Sequence, residues 1–139
     1  MGLVRAEIEI INCSDQSFFE AGMLDESKIR RIKVNALVDS GSVMLAINEN
    51  VKTQLGLKVK DIRPSRLADG SLAELEVVGP VEVRFENRFS TTNALVLPGN
   101  EEVLLGAIPM EEMDVLIHPN KEKLIVNPEH PNKPQMTLK

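Results

Sequence analysis

Residues Asp39-Ser40-Gly41-Ser42 follow directly on the apolar run Val34-Asn35-Ala36-Leu37-Val38. Strand formers lead to one carboxylate, and two hydroxyls and a glycine come at once after it. A carboxylate taken out of water without partners costs several kcal/mol or shifts its pKa. An acid delivered to the end of a buried strand therefore points to use. Hydrolysis of an amide by carboxylates needs two acids sharing a proton: one acts as base toward water, and the other, protonated, polarises the carbonyl. Repulsion keeps a single proton on the pair, so the two titrate as a unit. The chain offers one suitable acid. Asp69 runs straight into Gly70, which is turn chemistry, and Asp15, Asp25, Asp61 and Asp114 lack the flanking glycine and hydroxyl. A pair then requires a second copy of the chain, with an isologous two-fold axis bringing the two Asp39 side chains together.

The elements that must position this loop read as short strands. Leu3 to Ile11 alternates apolar and polar residues, the two-residue period of a half-buried strand. Asn12 to Ser27 reads as a polar connection carrying Phe18, Phe19, Met23 and Leu24, expected as a long hairpin loop or flap-like excursion. Ile29 to Val38 is the strand that ends at Asp39. Met44 to Ile47 is a short strand, and Asn48 opens a short helix that Gly56 terminates. Leu57 to Ile62 alternates until Pro64 breaks the pattern. Asp69-Gly70 supplies the positive φ angles of a two-residue hairpin turn. Leu72 to Val78 continues after a bend at Gly79-Pro80 into Val81 to Phe85, and Phe89 to Leu97 is a further strand. Val103-Leu104-Leu105 stops at Gly106, and Pro109 suits the first turn of a helix bearing Met110 and Met113. Val115 to Ile117 and Lys123 to Val126 read as hairpin arms. The expectation is an all-β domain over residues 1–127, a closed barrel of short strands with one or two short helices. Residues 128–139 form an extended or flexible tail.

Composition narrows the functions. The chain has 139 residues, 42% of them hydrophobic and 27% charged, enough for one domain with a real core. A net charge of −5 argues against nucleic-acid or anionic-membrane binding. Four Phe are the only aromatic residues, so stacking on bases is not supported either. Cys13 stands alone, which excludes an intrachain disulfide and suits a reducing compartment. Met1 to Glu7 meets charge too early for a secretory signal, and Ala6 stands where a myristoylation start would have Ser or Thr. The expectation is a cytoplasmic protein. His118 and His130 each precede a proline in polar surroundings and show no metal-ligand spacing.

At this point the chain resembles the retropepsin-like (retroviral-type, single-motif) aspartic proteases, in their non-viral branch. The resemblance covers most of residues 29–126. It rests on Leu37-Val38-Asp39-Ser40-Gly41-Ser42, the helix near Val51 to Leu55, the hairpin at Asp69-Gly70 and the closing Val103-Leu104-Leu105-Gly106. It implies an acid-protease barrel acting as a homodimer on a peptide or protein substrate, with Asp39 as the catalytic aspartate and no metal or cofactor. Ser40 stands for the threonine that ties the two active-site loops together, and Gly41 allows close approach of substrate. Ser42 is implied to hydrogen-bond the carboxylate and to lower the pair's apparent pKa. Ala68, Asp69, Gly70 and Ser71 would form the tip of a flap over the substrate. Two positions depart from the viral pattern. Val43 stands where an acid usually clamps the peptide backbone, and Ala107 stands where an arginine pairs with that acid.

Other readings of the same residues exist. Asp39-Ser40-Gly41 also suits a plain turn after a strand. A dimeric peptide-binding module of the same fold, with weak or no activity, is compatible with Val43 and Ala107. An aspartyl nucleophile for phosphotransfer would need a further acid cluster and a magnesium site, which the sequence does not display.

Overall fold

In the computed structural model, residues 3–138 are described. They build a mostly β structure. The strands are β1 (Arg5–Asn12), β2 (Arg31–Val38), β3 (Leu45–Asn48), β4 (Lys58–Arg66), β5 (Leu72–Phe85), β6 (Arg88–Leu97), β7 (Leu104–Leu105), β8 (Val115–His118) and β9 (Lys123–Val126). Helices α1 (Cys13–Glu20), α2 (Glu49–Leu55) and α3 (Ala107–Met113) are short. Seven strands form one sheet in the order β1-β2-β7-β3-β6-β5-β4, and β8 and β9 make a separate hairpin. β1 also pairs with β5, from Glu9 opposite Arg84 to Asn12 opposite Val81, so the pairings from β1 round to β5 return to β1. Among the described residues no helix is long and apolar enough to cross a membrane.

The alternation in β1 is realised as expected. Ala6, Ile8 and Ile10 point inward and are buried, opposite Ala36 and Val34 of antiparallel β2. They meet Leu45, Ile47, Val51, Leu55, Val83 and Leu105 in a single core. Each such side chain contributes roughly 1.5–3 kcal/mol by leaving water.

Three local expectations are corrected. Residues 12–27 are not a long loop: Asn12 caps α1, its side chain accepting from the Asp15 amide at 3.0 Å and donating to the Leu55 carbonyl at 2.7 Å. Asp15, in the first turn, binds Arg30 through its backbone amide (2.9 Å), Nε (2.8 Å) and Nη2 (3.0 Å). The helix outweighs a loop here because its first turn is satisfied twice over, and it brings the helices to three rather than one or two. Pro64 does not end β4, which runs through it to Arg66. β4 is the edge strand, where a missing N–H costs no ladder bond. The turn at Asp69-Gly70 is not of the two-residue kind: Gly70 (φ 86°) has positive φ and Asp69 does not. The Gly70 amide donates to the Leu67 carbonyl (2.9 Å) and the Leu67 amide to the Ser71 carbonyl (2.8 Å), a three-residue loop closed by a left-handed glycine.

The segment after β9 turns at once, the His130 amide donating to the Asn127 carbonyl at 3.0 Å, and is bonded back to the domain. Asp114 gathers it. Its carboxylate accepts from Asn127 Nδ2 (3.1 Å) and the Gln135 amide (3.0 Å) and lies 2.7 Å from His130 Nδ1. Asn87 Nδ2 donates to the Pro131 carbonyl at 2.9 Å. Beneath it Arg88, only 2% exposed, donates from Nη2 to the His130 carbonyl, while its Nε and Nη1 meet no partner among the described residues.

These bonds, led by the Gln135 amide and Asn127, hold the Asp114 carboxyl down to about 2. A carboxyl depressed in the folded state adds stability above its unfolded pKa of about 4 and loses it as pH falls toward the folded value. Acid titration is therefore expected to detach residues 127–135 between about pH 4 and pH 2. The Gln135 amide resonance or proteolysis of the arm reports it. Asp114→Ala should show the detached state at neutral pH.

Candidate active site

β2 ends at Val38, and the backbone then turns so that Asp39 stands at the mouth of a cleft. Two neighbouring elements fix this turn. β7 runs parallel to β2, Leu37 beside Leu104 and Val38 beside Leu105, and the Asp39 amide donates to the Leu105 carbonyl at 3.0 Å. On its other edge β7 meets β3, Ala46 opposite Leu104. The two-residue strand is thus wedged between the strand that enters the loop and the strand that leaves it.

Within the loop the Ser42 amide donates to the Asp39 carbonyl (3.0 Å), and the Gly41 amide donates to Asp39 Oδ1 (2.9 Å). A Cβ on Gly41 would sit 3.2 Å from that same oxygen, so a glycine is what lets the amide reach the carboxylate without crowding it. Ser42 does not serve the carboxylate. Its hydroxyl donates to the Met44 carbonyl at 3.0 Å, because the chain turns it toward the outgoing strand. Ser40 is exposed, and its hydroxyl makes no hydrogen bond among the described residues.

The glycine at 106 locks the loop from the other side. The Ala107 amide donates to the Ser42 carbonyl (2.7 Å) and the Ile108 amide to the Val43 carbonyl (3.0 Å). A Cβ on Gly106 would lie 2.6 Å from the Ser42 carbonyl oxygen and overlap that of Met44 still more. Val43 and Ile108, joined by their backbone bond, leave their side chains 63% and 49% exposed beside the loop.

Opposite Asp39 stands the β4–β5 hairpin. Asp69 at its tip accepts from the Ser71 amide (2.9 Å) and hydroxyl (2.6 Å), and these bonds lower its carboxyl pKa. Arg66 Nη1 donates to the Gly70 carbonyl at 2.9 Å, stiffening the tip. Between hairpin and loop lies a cleft of about 710 Å³. Of the residues singled out in the sequence, Asp39, Gly41, Ser42, Ala68 and Asp69 line it; Ser40, Gly70 and Ser71 do not. Its walls also include Leu104, from the apolar run that ends at Gly106, and Arg66, Leu75, Leu95, Leu97 and Glu101, which sequence reading did not single out. Alternation within β5 and β6 carried a signal for the leucines; Glu101, in a loop after Pro98-Gly99, carried none.

A family model described as aspartyl protease matches residues 26–108, more than half of the chain. The chain belongs to the aspartyl protease family. The match begins before β2, takes in the Asp39 loop and the β4–β5 hairpin, and ends just beyond Gly106, so the elements that frame the cleft all lie within the family's span. A search of curated proteins returns no match. The retropepsin-like resemblance drawn from Asp39-Ser40-Gly41 and Val103 to Gly106 agrees with this family.

Because the Gly106 clash is with backbone rather than with a movable side chain, Gly106→Ala is expected to destabilise the domain by about 3 kcal/mol or to prevent folding. Chemical denaturation measures it. Gly99→Ala has open space around the new Cβ, so at its φ of 72° it should cost only about 1 kcal/mol.

Proposed function

We propose that the chain is an aspartic endopeptidase working as a homodimer, in which Asp39 of each protomer supplies one carboxylate of a shared pair. The reading is carried by the position of Asp39. It stands at the mouth of a cleft roofed by a hairpin tip, within the span matched by the aspartyl protease family. No other Asp is followed by Ser-Gly or Thr-Gly, which is why a second copy is needed to complete the pair. We read the returning circuit of strands as the closed barrel of that fold, and Ala68 to Ser71 as its flap tip.

In this mechanism one Asp39 carboxylate takes a proton from water as the water oxygen attacks the peptide carbonyl. The other, protonated, gives its proton to the carbonyl oxygen. The Gly41 amide, already on Oδ1, orients the carboxylate. Closure of the flap excludes bulk water and holds the peptide for attack. Ser40, exposed and free of internal hydrogen bonds among the described residues, is available to bond across the axis to its counterpart. No cofactor or metal takes part, and the lone Cys13 suits a cytoplasmic setting.

The exposed pair Val43 and Ile108 lends some support to a peptide-binding module without turnover, since no charge there grips a peptide backbone. One experiment separates the two. Digestion of a peptide library at pH values from 4 to 7 by wild type and Asp39→Asn should show cleavage by wild type alone, reduced in the variant by at least about 10³-fold. Sedimentation should show dimers for both. Cleavage that survives in Asp39→Asn removes the dyad; peptide binding without cleavage by wild type supports the module.

A further inference from the structure

Arg88 is as deeply buried as the apolar core, yet its guanidinium keeps its charge at any pH the protein meets. Only Nη2 is bonded, to the His130 carbonyl. Nε and Nη1 meet no partner, and no carboxylate pairs with the group among the described residues. The two acids at the end of α3 are committed elsewhere: Glu112 accepts from the Thr91 amide (3.0 Å), and Asp114 binds the arm. A buried charge left half-bonded costs stability, and an apolar residue of similar size in its place is often better tolerated. The docked arm therefore carries a penalty that vanishes on release, when the guanidinium regains water.

Little else holds the arm down. Residues 128–135 are all exposed except the half-buried His130, so no apolar side chain anchors them in the core. Their attachments are polar. Asn87 and Arg88 donate to the carbonyls of Pro131 and His130, and the Gln135 amide and His130 Nδ1 meet the Asp114 carboxylate. Segments held by a few hydrogen bonds near solvent open well below the cost of global unfolding.

Asp114 links this arm to the Asp39 loop. It caps the C-terminus of α3 at φ 54° and ψ 55°, a left-handed conformation uncommon for a residue with a Cβ. In that conformation its amide donates to the Glu111 carbonyl (3.1 Å) and closes the last turn. The bonds from Gln135 and His130 help to hold it there. At the other end of the same seven-residue helix, the Ala107 and Ile108 amides grip the Ser42 and Val43 carbonyls.

We propose that residues 128–135 are a releasable strap, poised by the half-bonded Arg88 beneath it, whose release frays the end of α3 and loosens the Asp39 loop. The inference stands apart from the endopeptidase reading. Together with that reading, it makes the arm a control on how firmly Asp39 is held.

Amide hydrogen exchange, read by NMR on the full chain at neutral pH, tests it. In wild type the Gln135 amide should be at least about 100-fold less protected than that of Val83, which lies between β1 and β6. Arg88→Met should tighten the strap and slow Gln135 exchange by about tenfold. Arg88→Gln keeps a donor for the His130 carbonyl without the charge, should act in the same direction, and serves where the Met variant misfolds. The double variant Asn87→Ala, His130→Ala should bring Gln135 to within about threefold of the free-peptide rate. It should also speed exchange at Ala107 and Ile108 by at least about threefold relative to Val83. Gln135 as protected as Val83 in wild type, no slowing of Gln135 in either Arg88 variant, or unchanged exchange at Ala107 and Ile108 in the double variant each overturns the inference.

Discussion

Gly106 has no room for a side chain, and much of the site follows from that. Where it passes the Asp39 loop, the backbone of Ser42 to Met44 lies against it closely enough that a Cβ would collide with two carbonyl oxygens. This contact lets the Ala107 and Ile108 amides reach the Ser42 and Val43 carbonyls. It also lets β7 slip between β2 and β3 as a strand of only two residues. Without that wedge the turn after Val38 would lose the Leu105 carbonyl that receives the Asp39 amide. The carboxylate would then be carried by an ordinary flexible loop. A carboxylate is held in one place only by a loop whose backbone groups are already committed, and here two of those commitments, from Ala107 and Ile108, depend on this glycine.

Much of this was legible in the sequence, and for physical reasons. A two-residue alternation is enforced wherever one face of a strand is buried, so β1, β2, β5 and β6 announced themselves. Asp39-Ser40-Gly41 and the apolar run ending at Gly106 stood out because a carboxylate and a glycine at strand ends are each hard to place without purpose. α1 was missed because it is eight residues long, with Asp15 turned inward to an arginine and Phe18 turned outward, against the usual amphipathic pattern. The passage of β4 through Pro64 was hidden because only topology shows which strand lies at the edge. The direction of the Ser42 hydroxyl depends on a rotation of one side chain between two acceptors, which spacing does not encode.

The cleft is also shaped by residues that no local pattern marks. Glu101 belongs to it because Asn48, more than fifty residues earlier, bonds its carbonyl. Arg66 braces the tip of the β4–β5 hairpin by reaching across the turn to the Gly70 carbonyl. Such long-range and cross-turn bonds are where three dimensions add most to a sequence. They also make the electrostatics of the site a property of the whole fold rather than of the Asp39 motif.

β5 is a single strand with two neighbours in succession. Leu72 to Gly79 pairs with β4 in the hairpin over the cleft, and Val81 to Arg84 pairs with β1 on the far side of the circuit. Its pairing with β6 is interrupted between Val78 and Val81, where one set of partners gives way to the other. From Leu72 to Glu76 the strand has β4 as its only ladder partner among the described residues, whereas from Val81 to Arg84 it is held between β1 and β6, so one strand serves as a cantilever over the cleft and as a stave of the core.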